Sequence, residues 1–136
     1  MLLPNKKYNI IYADPPWHFE NWNNKTAQTN PNQHYPTMSM KDIANMKVND
    51  IAADDCVLFM WCTDPLLDKQ LPIVKDWGFT YKTVAFHWVK TNKDKTKNYY
   101  FKGPGYWTRA NNEICVLATK GKPKRASGNV DIFFFF

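Results

Sequence analysis

Residues 8–17 read YNIIYADPPW, and this stretch limits the fold more than any other. Tyr8–Ala13 is an apolar run with Asn9 as its one polar interruption. Such runs match strands buried on both faces, as in parallel sheets lying between helices. The strand cannot continue past Asp14. Pro15 and Pro16 lack backbone N–H groups and hold φ fixed, so they cannot extend a ladder. The halt therefore leaves a carboxylate at the strand's carboxyl end, where open α/β sheets bind ligands.

The rest of the chain repeats the strand-and-helix theme. CVLFMWC (56–62) is a second all-apolar strand. FTYKTVAFHWVK (79–90) is a third, and Glu113–Thr119 a fourth, closed by Lys120 and Gly121. Between them, Ser39–Met46 reads as a helix capped by Ser39, with Asp42 as the acid of a shortened capping box. Asp64 is expected to cap a second helix, with Pro65 at its first position. Leu67, Leu71 and Val74 give that helix an apolar face. Pro72 should kink it or shift its start, and Gly78 should stop it. His18–His34 and Asn92–Gly105 are polar and read as loops, the first long enough to suggest a functional role. Strands alternating with helices imply an α/β sheet, at least partly parallel. With 136 residues and no composition break before about residue 120, one domain is expected.

Composition narrows the function. The net charge is +6, and 16% of residues are Phe, Trp or Tyr. Basic charge with abundant flat rings favours a polyanionic, nucleic-acid partner. Cys56, Cys62 and Cys115 form no Cys-x-x-Cys pair and lie in apolar stretches, so they read as buried, reduced thiols of an intracellular, cytoplasmic protein. His18, His34 and His87 show no ligand spacing, so no metal site is expected. No apolar stretch is long enough to span a bilayer, and MLLPNKK lacks the apolar core of a signal peptide, so no membrane partner is expected.

Each part of Asp14–Trp17 has a chemical reading. Asp14 can accept hydrogen bonds from an amino group. The Pro15 carbonyl, held rigid, can accept a second. Trp17 can offer a stacking face to a planar base. Together they describe a clamp for an exocyclic amine on an aromatic ring. Two acceptors on its two hydrogens would draw the nitrogen toward tetrahedral geometry and aim its lone pair. This is orientation and electrostatics. An ordinary Asp, with a pKa near 3.9, is too weak a base to deprotonate the amine beforehand. The alternative is that Asp14 caps a turn and the prolines merely end a strand.

YADPPW, HYPTMS (34–39), CVLFMWCT, WGF, WVKTN and GPGYWTRANNEICVLATKG occur in that order. The chain thereby resembles the N6-adenine methyltransferases with the DPPW motif. That family holds the catalytic subunit of the eukaryotic mRNA adenosine methyltransferase and many bacterial and phage adenine-specific DNA methyltransferases. The resemblance implies a Rossmann-like methyltransferase sheet of α/β class, incomplete, with S-adenosyl-L-methionine as methyl donor. Asp14, Pro15, Pro16 and Trp17 would be catalytic, with Asp14 also approaching the donor. Tyr35 and Trp61 would wall the adenine pocket, and Trp88, Lys90 and Asn92 would line the path of the strand. Trp107 and Glu113 would sit at the substrate loop. Trp61 and Trp88 also fit a pure packing role. A base held in a duplex cannot reach such a clamp, so the target would be single-stranded or flipped out.

No counterpart of the family's larger cofactor segments follows Gly121. Residues 1–136 are therefore expected to form the catalytic and target-base part of one methyltransferase domain, inactive alone, with DNA favoured over RNA. Residues 120–136 read as a basic, then Phe-rich tail, an aggregation hazard if unpaired. An open sheet edge would invite pairing with another chain, of the same or a different kind. The competing expectation is a catalytically dead nucleic-acid-binding module of the same fold.

Overall fold

The computed structural model describes residues 2–19, 36–94 and 96–135. Its elements are β1 (Tyr8–Ala13), α1 (Met40–Ala44), β2 (Ala52–Cys62), α2 (Leu67–Asp76), β3 (Thr80–Val89), β4 (Glu113–Lys120) and β5 (Phe133–Phe135). The strands form one sheet in the order β1-β2-β4-β3-β5. β1 is parallel to β2 and β5 to β3, whereas β4 runs antiparallel between β2 and β3. The carboxyl ends of β1, β2 and β3 therefore meet the first residue of β4, Glu113, at one rim. This is the incomplete, Rossmann-like α/β sheet expected from the sequence.

The pleat sorts residues between two unlike faces. On one, Cys56, Leu58, Met60, Cys62, Ile114, Val116 and Ala118 are buried with Ile43 of α1 and Ile73 and Val74 of α2. On the other stand Ile10, Tyr12, Phe59, Trp61, Phe86 and Trp88. Ile10 and Tyr12 are 64% and 69% exposed. β1 is thus not buried on both faces as its composition suggested. It lies at a sheet edge with helices on one side, and only Ile11 and Ala13 pack toward the core.

Local signals explain the element ends. Ser39 Oγ accepts from the Asp42 N–H at 3.1 Å, capping α1. Gly78, at φ +86°, closes α2. Its N–H donates to the Lys75 carbonyl and that of Phe79 to the Val74 carbonyl, both closing the last turn. Asp64 does not cap α2. It opens a 3-10 turn, Asp64–Leu66, that leads into the helix. The fully buried Gln70 supplies the tie instead: its Oε1 accepts from the Thr63 N–H at 2.9 Å, and its Nε2 donates to Thr63 Oγ1 at 3.2 Å. Pro72 lies inside α2, on its exposed side.

The Phe-rich end is not an unpaired tail. Phe133–Phe135 pair in register with His87–Val89. Aromatic side chains suit a pleated, half-covered surface, and this run adds a strand to the β3 edge.

Candidate active site

Asp14 follows β1 on the same pleat face as Tyr12, and so joins the aromatic side of the sheet. Its segment is tied down at three points. The Trp17 N–H donates to the Pro15 carbonyl at 2.9 Å, and the Met38 N–H to the Pro16 carbonyl at 2.9 Å. The Trp17 indole N–H reaches across to the Trp61 carbonyl at 3.1 Å. Trp17 itself is only 4% exposed and belongs to the core. Its ring has no free face, so in this structure it anchors the motif rather than stacking on a base. The Pro15 carbonyl is likewise already engaged, and one lone pair remains for a substrate N–H.

Two carboxylates meet at the rim. The Asp14 carboxyl is raised above its ordinary value, chiefly by burial and then by the negative charge of Glu113. The field of Asp14 reaches the β2–β4 seam. Burial, helped by Asp14, pushes the Cys115 thiol up to about 11. Burial and Cys115 push Cys62 to about 12. Lys90 answers this charge. Its Nζ lies 2.7 Å from Glu113 Oε1 and 5.1 Å from the centre of the Trp88 ring. Asn111 fixes the Lys90 backbone from both sides: its Oδ1 accepts from the Lys90 N–H at 3.0 Å, and its Nδ2 donates to the Lys90 carbonyl at 2.9 Å.

Aromatic rings wall the site. Trp61 donates its indole N–H to Tyr12 Oη at 2.6 Å. Trp88 meets Trp61 edge-on, with ring centres 6.4 Å apart. Phe134 stands edge-on to Trp61 at 6.1 Å and to Phe86 at 6.2 Å. The Trp88 indole nitrogen is buried and has no hydrogen-bond partner among the described residues.

Of the expected site residues, Asp14, Trp61, Trp88, Lys90 and Glu113 come together at this rim. Asn92 does not line it. Its Nδ2 donates to the carbonyls of Asn98 and Tyr100, bracing the following loop. Trp107 is 100% exposed and contributes no wall. Tyr35 lies outside the described residues. Sequence reasoning missed Tyr12, Asn111 and Phe134. The alternation of β1 could have placed Tyr12 beside Asp14, and the polar pair before Glu113 could have marked Asn111.

The chain belongs to the MT-A70 family, whose model matches residues 8–134. It is 35% identical, over 88% of its length, to the type II methyltransferase M.MunI of a Mycoplasma species. It is 29% identical over 89% of its length to the N6-adenosine-methyltransferase non-catalytic subunit MTB of Arabidopsis thaliana. With the non-catalytic subunit METTL14 of Drosophila melanogaster it shares 31% identity over 67% of its length. The chain spans 54% of M.MunI, 15% of MTB and 24% of that METTL14.

Proposed function

We propose that this chain carries the amine-clamping part of an S-adenosyl-L-methionine-dependent N6-adenine methyltransferase acting on nucleic acid, with DNA favoured. The observation that carries the reading is the Asp14 carboxylate, held at the carboxyl end of β1 on the aromatic face of the sheet and raised by burial and by the charge of Glu113. DNA is favoured because M.MunI, the type II methyltransferase, matches more of this chain at higher identity than the METTL14 of Drosophila melanogaster does.

The donor set suits a cationic methyl donor. Lys90 already answers Glu113 and covers Trp88, whereas Asp14 has no ion pair among the described residues and shares the sheet face of Trp61, a carboxylate and ring that favour a sulfonium or ammonium group. S-adenosyl-L-methionine supplies an electrophilic methyl group on such a sulfonium. Asp14 accepts one amine hydrogen of the adenine, and the remaining lone pair on the Pro15 carbonyl accepts the other. Trp61 and Trp88 border the ring. The Trp17–Trp61 tie holds these acceptors still, which is where the rate gain resides. Bulk water removes the amine proton once the nitrogen has become cationic.

A second reading has its own support, because MTB and METTL14 are named non-catalytic subunits. In it the same rim binds nucleic acid without transferring methyl groups. Mass spectrometry for N6-methyladenine in a single-stranded, adenine-containing oligonucleotide separates the two. The chain is assayed alone and fused to the part of M.MunI that the match leaves uncovered. Methyladenine that disappears with Asp14→Ala supports the enzyme. Oligonucleotide binding without methyladenine in either form supports the binding module.

A further inference from the structure

On the sheet face opposite Asp14, at the end of β3, lies a cavity of about 580 Å³ that the clamp does not use. His87 and Val89 of β3 and Phe133 of β5 form its floor, and residues 100–102 and 109–112 form its roof. Its volume is that of a site for one nucleotide-sized ligand.

The lining has an uneven chemistry. His87 and Phe133 lie ring to ring, with centres 5.4 Å apart. Phe101 and Phe133 both leave ring surface open to solvent. At the mouth stand two exposed cations, Lys102 and Arg109, and no carboxylate is among the lining residues. Lys102 makes no ion pair among the described residues, and the Arg109 guanidinium donates only to the Lys102 carbonyl at 3.3 Å. The Asn112 amide lies 3.4 Å from His87 Nδ1, so two polar edges face one another beside the rings. Asn111, by contrast, uses its amide on the Lys90 and Phe101 carbonyls and acts as scaffold.

We infer that this cavity holds one nucleotide of a single-stranded nucleic acid, its base against Phe101, Phe133 and His87 and its phosphate on Lys102 and Arg109. Rings supply the stacking that any base accepts, and paired cations supply the phosphate term. Asn111, Asn112 and Glu113 are consecutive, so the cavity and the Asp14 rim lie on either side of one strand end. A strand crossing that end would present one nucleotide to the clamp and a near neighbour to the cavity. The choice of a nucleic acid rests on the proposed function, whereas the cavity's cations and rings stand apart from it.

The probe is a fluorescein-labelled, mixed-sequence single-stranded oligodeoxynucleotide of twelve nucleotides, titrated with the chain at several salt concentrations. Lys102→Ala with Arg109→Ala should weaken binding at least tenfold at low salt. The slope of log K against log salt should become shallower by about 0.7, the value for one phosphate contacted on a single strand. Phe101→Ala should weaken binding about fivefold or more, with the slope kept. Both cations are exposed, and an unchanged melting temperature shows that each variant folds. Unchanged affinity and slope in the double variant would overturn the proposal, as would absence of binding by the parent chain. Affinity and salt slope are read without any methyl transfer, so a parent chain that binds with the expected slope but forms no methyladenine sinks the clamp and leaves the cavity standing.

Discussion

The indole N–H of Trp17 donates to the main-chain carbonyl of Trp61, 3.1 Å away, and so ties the end of the motif to the end of β2. The two residues are 44 apart in sequence, and the bond sets where Asp14 stands relative to the aromatic wall. Trp17→Ala should cost about 3–5 kcal/mol, the usual loss for a large core aromatic. Trp17→Phe keeps an aromatic ring but removes the indole N–H and its bond to the Trp61 carbonyl, at about 1–3 kcal/mol. Urea midpoints give both values. A stacking role would show the opposite pattern, with full stability and reduced oligonucleotide affinity.

The buried thiols give the fold an alkaline limit. Cys62 and Cys115 are held at about 12 and about 11, against 9.0 for an ordinary thiol. Their neutral forms are favoured only in the folded state. The unfolded chain therefore releases protons first, and stability should fall as pH rises above about 9. Melting temperatures between pH 8 and 10.5 would show the decline, and Cys62→Ala with Cys115→Ala should flatten it. At pH 8 a disulfide reagent should leave all three cysteines of the native chain unmodified, because each is fully buried.

The two positive-φ glycines should differ in their tolerance of a side chain. Gly78 sits at φ +86°, and a Cβ there would meet Asn49 Oδ1 at 2.8 Å, an atom that can rotate aside. Gly121 sits at φ +66°, and its Cβ would run into the carbonyl oxygen of Asp54, which is main chain. Lys122 also anchors this turn, donating its N–H to Asp55 Oδ1 at 2.8 Å. Gly78→Ala should cost about 1–2 kcal/mol, the price of the left-handed backbone alone. Gly121→Ala should cost more, and denaturant midpoints of the two variants rank them.

β1, the Cys56–Cys62 part of β2 and β4 were legible because each is an apolar run bounded by Gly, Pro or polar residues, and β3 because its apolar residues alternate at its start. The helix end at Gly78 was legible because glycine tolerates the φ that the closing turn demands. What stayed hidden was long-range. Tyr8–Ala13 has the composition of a central strand, and nothing local says that its outer neighbour is absent from this sheet. Asp64 has the residue type of a cap, but the buried Gln70, seven residues after the Thr63 it ties down, took that place. Trp17 has the residue type of a stacking platform. Only the tertiary contact with Trp61 makes it an anchor. The terminal phenylalanines became a strand because the β3 edge was free to pair, a property of the sheet rather than of the run itself.

Asp14 and Glu113 test the clamp most directly. Burial first and Glu113 second raise the Asp14 carboxyl above its ordinary value of 3.8. An acid so raised binds its proton more tightly in the folded state. The unfolded chain then holds fewer protons, and this group's contribution to stability falls as pH rises from near 3.8 through the raised value. Asp14→Asn removes the ionisation, so its melting temperature should draw level with or exceed that of the parent as pH rises toward 7. Glu113→Gln removes the second cause and keeps the first, so the Asp14 carboxyl should titrate lower than in the parent but still above 3.8. Carboxyl-carbon NMR titration reads this at the residue itself. For transfer, Asp14→Ala removes one preorganised acceptor, a loss of about 3 kcal/mol or roughly a hundredfold in rate. Asp14→Asn retains an acceptor oxygen without the charge, and should fall between the parent and Asp14→Ala. If Asp14→Ala transferred methyl groups as fast as the parent, the amine would be oriented by other groups, and the clamp would be wrong even with its pKa as described.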